Sequence, residues 1–137
     1  MINKADQTMA VAASAMKAQQ ARMRIIAENI ANADSTGKTA GADPYRRQIP
    51  VFAAAPIDGA TGVRLSQVLP DTTDDFTMDY DPSHPAADAN GYVKRPNVNS
   101  LTETMDMREA QRAYEANLNV IETARDMTQK TLDILQK

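Results

Sequence analysis

Ile2, Met9, Met16, Met23 and Ile30 recur at every seventh position near the start of the chain. Ala5, Ala12, Gln19 and Ile26 stand three residues after the first four of them. This alternation of three and four predicts a helix with a coiled-coil type of seam. Gln19 is its one polar member. A continuous helix over 2–32 would run ~46 Å at 1.5 Å per residue. A second seam runs Met107, Ala110, Tyr114, Asn117, Ile121, Ala124, Thr128, Thr131 and Leu135. Leu118, Leu132, Val120, Met127 and Ile134 widen that stripe on both flanks. Asn117 is a polar seam position of the kind that fixes register at a cost in stability. The two helices could pair with each other, but one partner helix cannot cover so broad a stripe. Further helical partners are expected.

Helix breakers mark the limits of these segments. All five Gly and all seven Pro fall between Gly37 and Pro96. Helix interiors tolerate both poorly. The expected division is therefore a helix within 1–36, a Pro/Gly-rich middle over 37–99 and a helix within 100–137. Ser100-Leu101-Thr102-Glu103 reads as a capping box that starts the second helix. In the middle, Phe76 to Tyr80 alternates as a half-buried strand does. Tyr45 to Phe52 and Val63 to Leu69 are weaker strand candidates. Asn90-Gly91 is a turn pair, and 34–44 reads as a flexible loop. The predicted fold class is mainly α. Long N- and C-terminal helices form a coiled-coil-like pair that packs with neighbouring subunits, beside a small irregular β-containing middle lobe.

Composition narrows this picture. The six aromatics (four Tyr, two Phe) and the absence of Trp argue against a thick core. The net charge of −3 comes from interspersed charges. It offers no clustered basic face for nucleic acid. No apolar run approaches the ~20 residues that span a bilayer, so no direct membrane insertion is expected. The first residues are Ala-rich with a Lys at position 4, which raises a cleaved signal peptide. Asp6, Gln7 and Thr8 interrupt such a core, and the helical spacing argues against it. With no Cys, disulfides and thiolate chemistry are excluded.

Asp79, Asp81, His84 and Asp88 invite a metal or acid–base reading. His84 is the only histidine, so no His pair exists, and Pro82 and Pro85 set it in a turn. Asp71, Asp74 and Asp75 lack the spacing of a calcium loop and read as a solvated acidic loop. Gly37-Lys38-Thr39 lacks the upstream Gly and strand of a phosphate loop. Arg46-Arg47 and Lys94-Arg95 are short basic pairs, read as contacts or solvated charges. No catalytic, cofactor-binding or metal-binding residue is assigned.

Four stretches carry a resemblance that runs nearly end to end. Ala27-Glu28-Asn29-Ile30-Ala31-Asn32-Ala33 resembles the A-x-N-I-A-N-A signature of flagellar rod and hook proteins. Asp43-Pro44-Tyr45-Arg46-Arg47-Gln48 resembles the P-Y-R-R segment of one branch. Tyr80-Asp81-Pro82-Ser83-His84-Pro85, Gly91-Tyr92-Val93 and Pro96-Asn97-Val98-Asn99 resemble that branch's most distinctive block. Ala110 to Asn117 resembles its C-terminal helix signature. Together they are similar to the FlgC family of flagellar basal-body rod proteins. Arg108 and Thr128 depart mildly, standing where a more apolar residue is expected.

The resemblance implies a structural subunit of the proximal rod, with no enzymatic activity and no cofactor. Such a subunit passes torque from the membrane ring towards the hook and lines the export channel. It implies export through the flagellar type III apparatus without a cleaved signal, to a rod that spans the periplasm. The implied partners are other copies of the chain, the rod proteins FlgB, FlgF and FlgG, the adaptor FliE and the export apparatus. The expected assembly interface comprises Ile2, Met9, Met16, Met23, Ile30, Asn29, Asn32, Met107, Tyr114, Asn117, Leu118, Ile121, Leu132 and Leu135. Two rival classes are a small soluble coiled-coil adaptor or chaperone, which would form a closed oligomer, and a metal enzyme built on Asp79, Asp81 and His84.

Overall fold

The computed structural model describes residues 3–137; Ile2, the first member of the expected seam, lies outside the described residues. Six elements follow in order: α1 (Lys4–Ala31), β1 (Gln48–Ile57), β2 (Ala60–Pro70), β3 (Thr77–Tyr80), β4 (Tyr92–Arg95) and α2 (Ser100–Leu135). Helix makes up 47% of the chain and strand 21%. The mainly-α expectation thus holds only in part. The middle is two ordered two-stranded ladders, β1–β2 and β3–β4. Prolines do not prevent this, because every strand of a two-stranded ladder has a free edge where a missing N–H costs nothing. Pro50 and Pro56 lie in β1, and Pro70 ends β2.

Both helices start on an asparagine. Asn3 Oδ1 accepts from Ala5 N at 3.3 Å. Asn99 Oδ1 accepts from Leu101 N at 3.1 Å and Thr102 N at 3.3 Å. The expected capping box is therefore displaced by one residue, and the Glu103 side chain is drawn elsewhere, into a buried polar cluster. No helix among the described residues is long and apolar enough to cross a membrane.

The chain condenses into two compact units. The first gathers the chain up to Met23 with Pro50–Gln67 and Arg108–Lys137. Its β hairpin turns on Asp58-Gly59, both at positive φ (49° and 81°). That is the two-residue turn whose twist matches the flanking strands. Gln7 Nε2 donates to Asp58 O at 2.9 Å, and Val63 N donates to Ser14 Oγ at 3.2 Å. A Cβ on Gly62 would lie 2.7 Å from that Ser14 oxygen, so β2 approaches α1 where there is no side chain. Ala12, Ala18, Ala110 and Ala124 are buried here. Small side chains let helix backbones come close. Arg22 and Glu109 pair at 3.5 Å on the surface.

The second unit gathers Arg24–Ile49 and Val68–Met107. β3 and β4 pair antiparallel, from Thr77 opposite Arg95 to Tyr80 opposite Tyr92. Phe76 to Tyr80 was expected to be half-buried. The β3 residues are instead all exposed, and Tyr80 meets Tyr92 edge-on at 5.2 Å. The linking loop is held by its own side chains. Asp88 accepts from Asn90 N and Tyr92 N, and Gly91 takes φ 84°. His84 Nδ1 accepts from Ala86 N at 3.0 Å, so this histidine shapes its turn. Ile25, Ile26, Ala86 and Val93 form the apolar core of the unit.

Candidate assembly site

The second unit has a polar centre. Asn29, on the last turns of α1, is 1% exposed. Its Oδ1 accepts from Tyr45 OH at 2.6 Å and from Gln48 N at 2.9 Å. Its Nδ2 donates to Gln48 O at 2.9 Å and to Glu103 Oε2 at 3.4 Å. Two donors against Oδ1 and two acceptors against Nδ2 fix which way the amide points. Glu103, also 1% exposed, receives Arg47 Nε on its other oxygen. Arg47 further meets Asp71 at 3.1 Å and Asp106 at 3.7 Å. Asn97 closes the ring, accepting from Arg47 N at 2.7 Å and donating to Asp71 O at 3.0 Å.

Charge states follow from these partners. Burial pulls the Arg47 pKa down, but Glu103 and Asp71 outweigh it and the net direction is up. Hydrogen bonds from the Thr73 hydroxyl and backbone hold Asp71 below the usual carboxylate range, with Arg47 adding to them against the effect of burial. Burial raises the Tyr45 phenol, reinforced by Glu28 and Glu103. Asp71 is thus a buried, fully bonded residue rather than part of a solvated acidic loop. Arg46 lies over the Phe76 ring at 4.2 Å and donates to Asp71 O and Asp74 O.

The first unit carries the apolar surface. The inward arc of α1 in this unit includes Ala12 of the expected seam, with Ser14 and Ala18, while Ile25, Ile26 and Asn29 are the buried α1 residues of the second unit. Met9, Met16, Met23 and Ile30 ride at its edge, half-buried. On α2, Ala110 and Ala124 are buried, while Met107, Tyr114, Asn117, Ile121 and Thr128 are half-buried. Leu118, Leu132, Val120 and Leu135 are exposed, with Met127 at 64% and Ile134 at 73%. An open groove of about 740 Å³ runs between Lys4, Ala5 and Thr8 of α1 and Val120, Met127, Leu132 and Leu135 of α2.

Two of the expected interface residues have side-chain partners within the subunit. Asn29 is sealed inside, its amide fully spent within the subunit. Asn32 is half-buried and donates to Glu28 O at 2.8 Å, finishing the helix. The residues of the proposed metal reading are each committed singly. Asp79 pairs with Arg95, Asp81 accepts from Ser83, and Asp88 accepts from backbone N–H groups. The polar centre itself was missed. One signal was readable, since Glu103 lies one heptad before Ala110, on the track that continues to Asn117 and Ala124, and so puts a charge on the inward face of α2.

Comparison with known proteins defines first a class. The profile described as Flagella basal body rod protein matches residues 9–37, and that described as Flagellar basal body rod FlgEFG protein C-terminal matches 89–134. These segments cover most of the α1 and α2 sequence, which sets the chain among the structural proteins of the flagellar rod. More specifically, it is 51% identical over 128 residues to the Flagellar basal-body rod protein FlgC of Agrobacterium fabrum, covering 92% of this chain and 91% of that one. Identity to the FlgC of Salmonella typhimurium is 41%, over 92% of this chain and 94% of that one. To the FlgC of Bacillus subtilis it is 35%, over 90% and 93%. The chain belongs to the FlgC family of flagellar basal-body rod proteins. It is a structural subunit of the basal body and not an enzyme, and it associates with other rod proteins.

Proposed function

We propose that the chain is a proximal-rod subunit that passes torque from the membrane ring towards the hook and lines the export channel. The observation that carries this is the apolar face of α2 and its groove in the first unit, which the subunit itself leaves uncovered. A face of Leu118, Val120, Met127, Leu132, Ile134 and Leu135 is too extended for a free-standing surface. Neighbouring helices of other copies, of FlgB, FlgF and FlgG and of the adaptor FliE are its proposed cover. Met9, Met16, Met23 and Ile30, with Met107, Tyr114, Asn117 and Ile121, form the proposed edge and seam of the same contacts, and 1–36 and 100–137 their axial core. The subunit reaches the rod through the flagellar type III apparatus. α1 is retained on the way, because Gln7 and Ser14 hold the β hairpin and removing the helix would unmake the first unit.

The test is Leu132→Glu in cells lacking the native gene. Leu132 is 46% exposed on the wall of an open groove, so the free subunit should fold and be secreted. In an assembled rod the new carboxylate is buried and unpaired, which costs several kcal/mol, about 3–5. Secretion without hooks is the expected result. Normal hook numbers would remove this face from the rod.

A further inference from the structure

We infer that Asn29 is a positioning residue for rod assembly that acts inside the subunit, by fixing the first turn of α2 against the last turns of α1. This rests on the rod reading and assigns a task to a residue of the A-x-N-I-A-N-A signature that a surface role does not explain. A residue 1% exposed, with all its amide bonds made internally, has nothing left for a neighbour.

The geometry gives the amide three chain segments to hold. Tyr45 and Gln48 come from the P-Y-R-R stretch, and Glu103 comes from α2. Glu103 is the fourth residue of α2, so its carboxylate, gripped by Asn29 on one oxygen and Arg47 on the other, sets the direction in which the helix begins. The first two turns of α2 carry Leu101 and Met105, 71% and 63% exposed, and both lie in the second unit with Asn29. A change in the direction in which the helix begins moves both. Asn29 therefore governs how this exposed apolar stretch is presented to a neighbouring subunit, although it touches none of it.

The variant Asn29→Asp keeps the shape but removes both donors and sets a carboxylate against Glu103. Adding Glu103→Gln returns an amide donor to that pair. In cells lacking the native gene, Asn29→Asp should be secreted while hooks fall by at least about tenfold, and the double variant should regain part of them, as expected when two buried hydrogen bonds are broken and only the one to α2 is restored. The second readout is a distance. The chain has no Cys, so spin labels can be placed at Arg24→Cys and Met105→Cys, both exposed and both in the second unit. Their distance distribution should broaden with Asn29→Asp and narrow again with Glu103→Gln. A role in stability alone would lower the melting temperature and leave the distribution of the folded protein unchanged.

An absence of hooks with an unchanged distribution would overturn the proposal, as would normal hooks with Asn29→Asp. If Asn29→Asp is degraded, Tyr45→Phe serves in its place. It deletes one hydrogen bond to Asn29 Oδ1 and keeps the ring, and an unbroadened distribution there is equally fatal. Failure of the native gene itself to restore hooks would strike the rod reading, and the distance measurement would still decide this one.

Discussion

Replacing Arg47 by Met removes the one guanidinium that serves Glu103, Asp71 and Asp106. Its aliphatic stem is retained, so the loss is electrostatic. Glu103 would keep only the Asn29 hydrogen bond at 3.4 Å, while Asp71 would keep its bonds from Thr73 N and Oγ1 at 2.9 and 2.6 Å. Stripping one partner from a buried pair costs about 3–5 kcal/mol. The surviving Thr73 bonds place Arg47→Met near the lower part of that range, about 3–4 kcal/mol. A chain of this size has about 5–15 kcal/mol in all, so the variant should fold but melt ~10–15 °C lower. Thermal unfolding followed by far-UV circular dichroism near pH 7 measures this. The added change Glu103→Leu should recover part of the loss, because it removes the stranded charge instead of leaving it buried. Acid supplies an internal check. Asp71 has a folded pKa below its ordinary value, so its contribution is present above about pH 4 and is lost as pH falls through that lowered value. The Thr73 bonds that do most of this lowering are common to both proteins, so only the part due to Arg47 differs, and the gap between native protein and Arg47→Met should narrow on acidification. A melting temperature within ~2 °C of the native one near pH 7, or a gap that widens in acid, would refute the reasoning.

Gln19 Oε1 is buried with no hydrogen-bond partner. Gln19→Leu should therefore stabilise the free subunit by about 1 kcal/mol, read as a higher urea midpoint at unchanged slope; a lower midpoint contradicts it. Every residue from Gln129 to Lys137 is exposed. Amide exchange there should be fast in the dilute subunit and slow in assembled rods, and strong protection at low concentration would show that the segment is held without partners.

The helices were legible because breakers are local. Nothing from Met1 to Thr36 or from Asn97 on forbids a helix, and α1 and α2 end within a few residues of those limits. The β1–β2 hairpin was underread, although Asp58-Gly59 is as clear a turn pair as Asn90-Gly91. Its strands carry Pro50, Pro56 and Pro70, and a proline breaks a helix anywhere in its interior but is tolerated on the free edge of a two-stranded ladder. Ser100-Leu101-Thr102-Glu103 misled because a capping box describes only sequence neighbours. Arg47, 56 residues away, offers Glu103 a charged partner in a buried place, and Asn99 takes over the cap. Asp71 failed for the same reason, since acidic neighbours look solvated until Thr73 and Arg47 are brought to them. In α1 Ala12 and Ile26 of the seven-residue pattern are buried, while Met9, Met16 and Met23 are half-buried. Period alone cannot say which of two adjacent tracks turns inward.

The two oxygens of Glu103 have a consequence for how this sequence can change over generations. One oxygen answers to an amide at position 29, the other to a guanidinium at position 47, and the amide also answers to a phenol at position 45. No member can be exchanged alone without stranding another in a place water does not reach. Drift at these four positions should therefore be concerted. Lineages that lose the acid at 103 should also have recast 29 and 47, while the exposed charges of α2 wander independently.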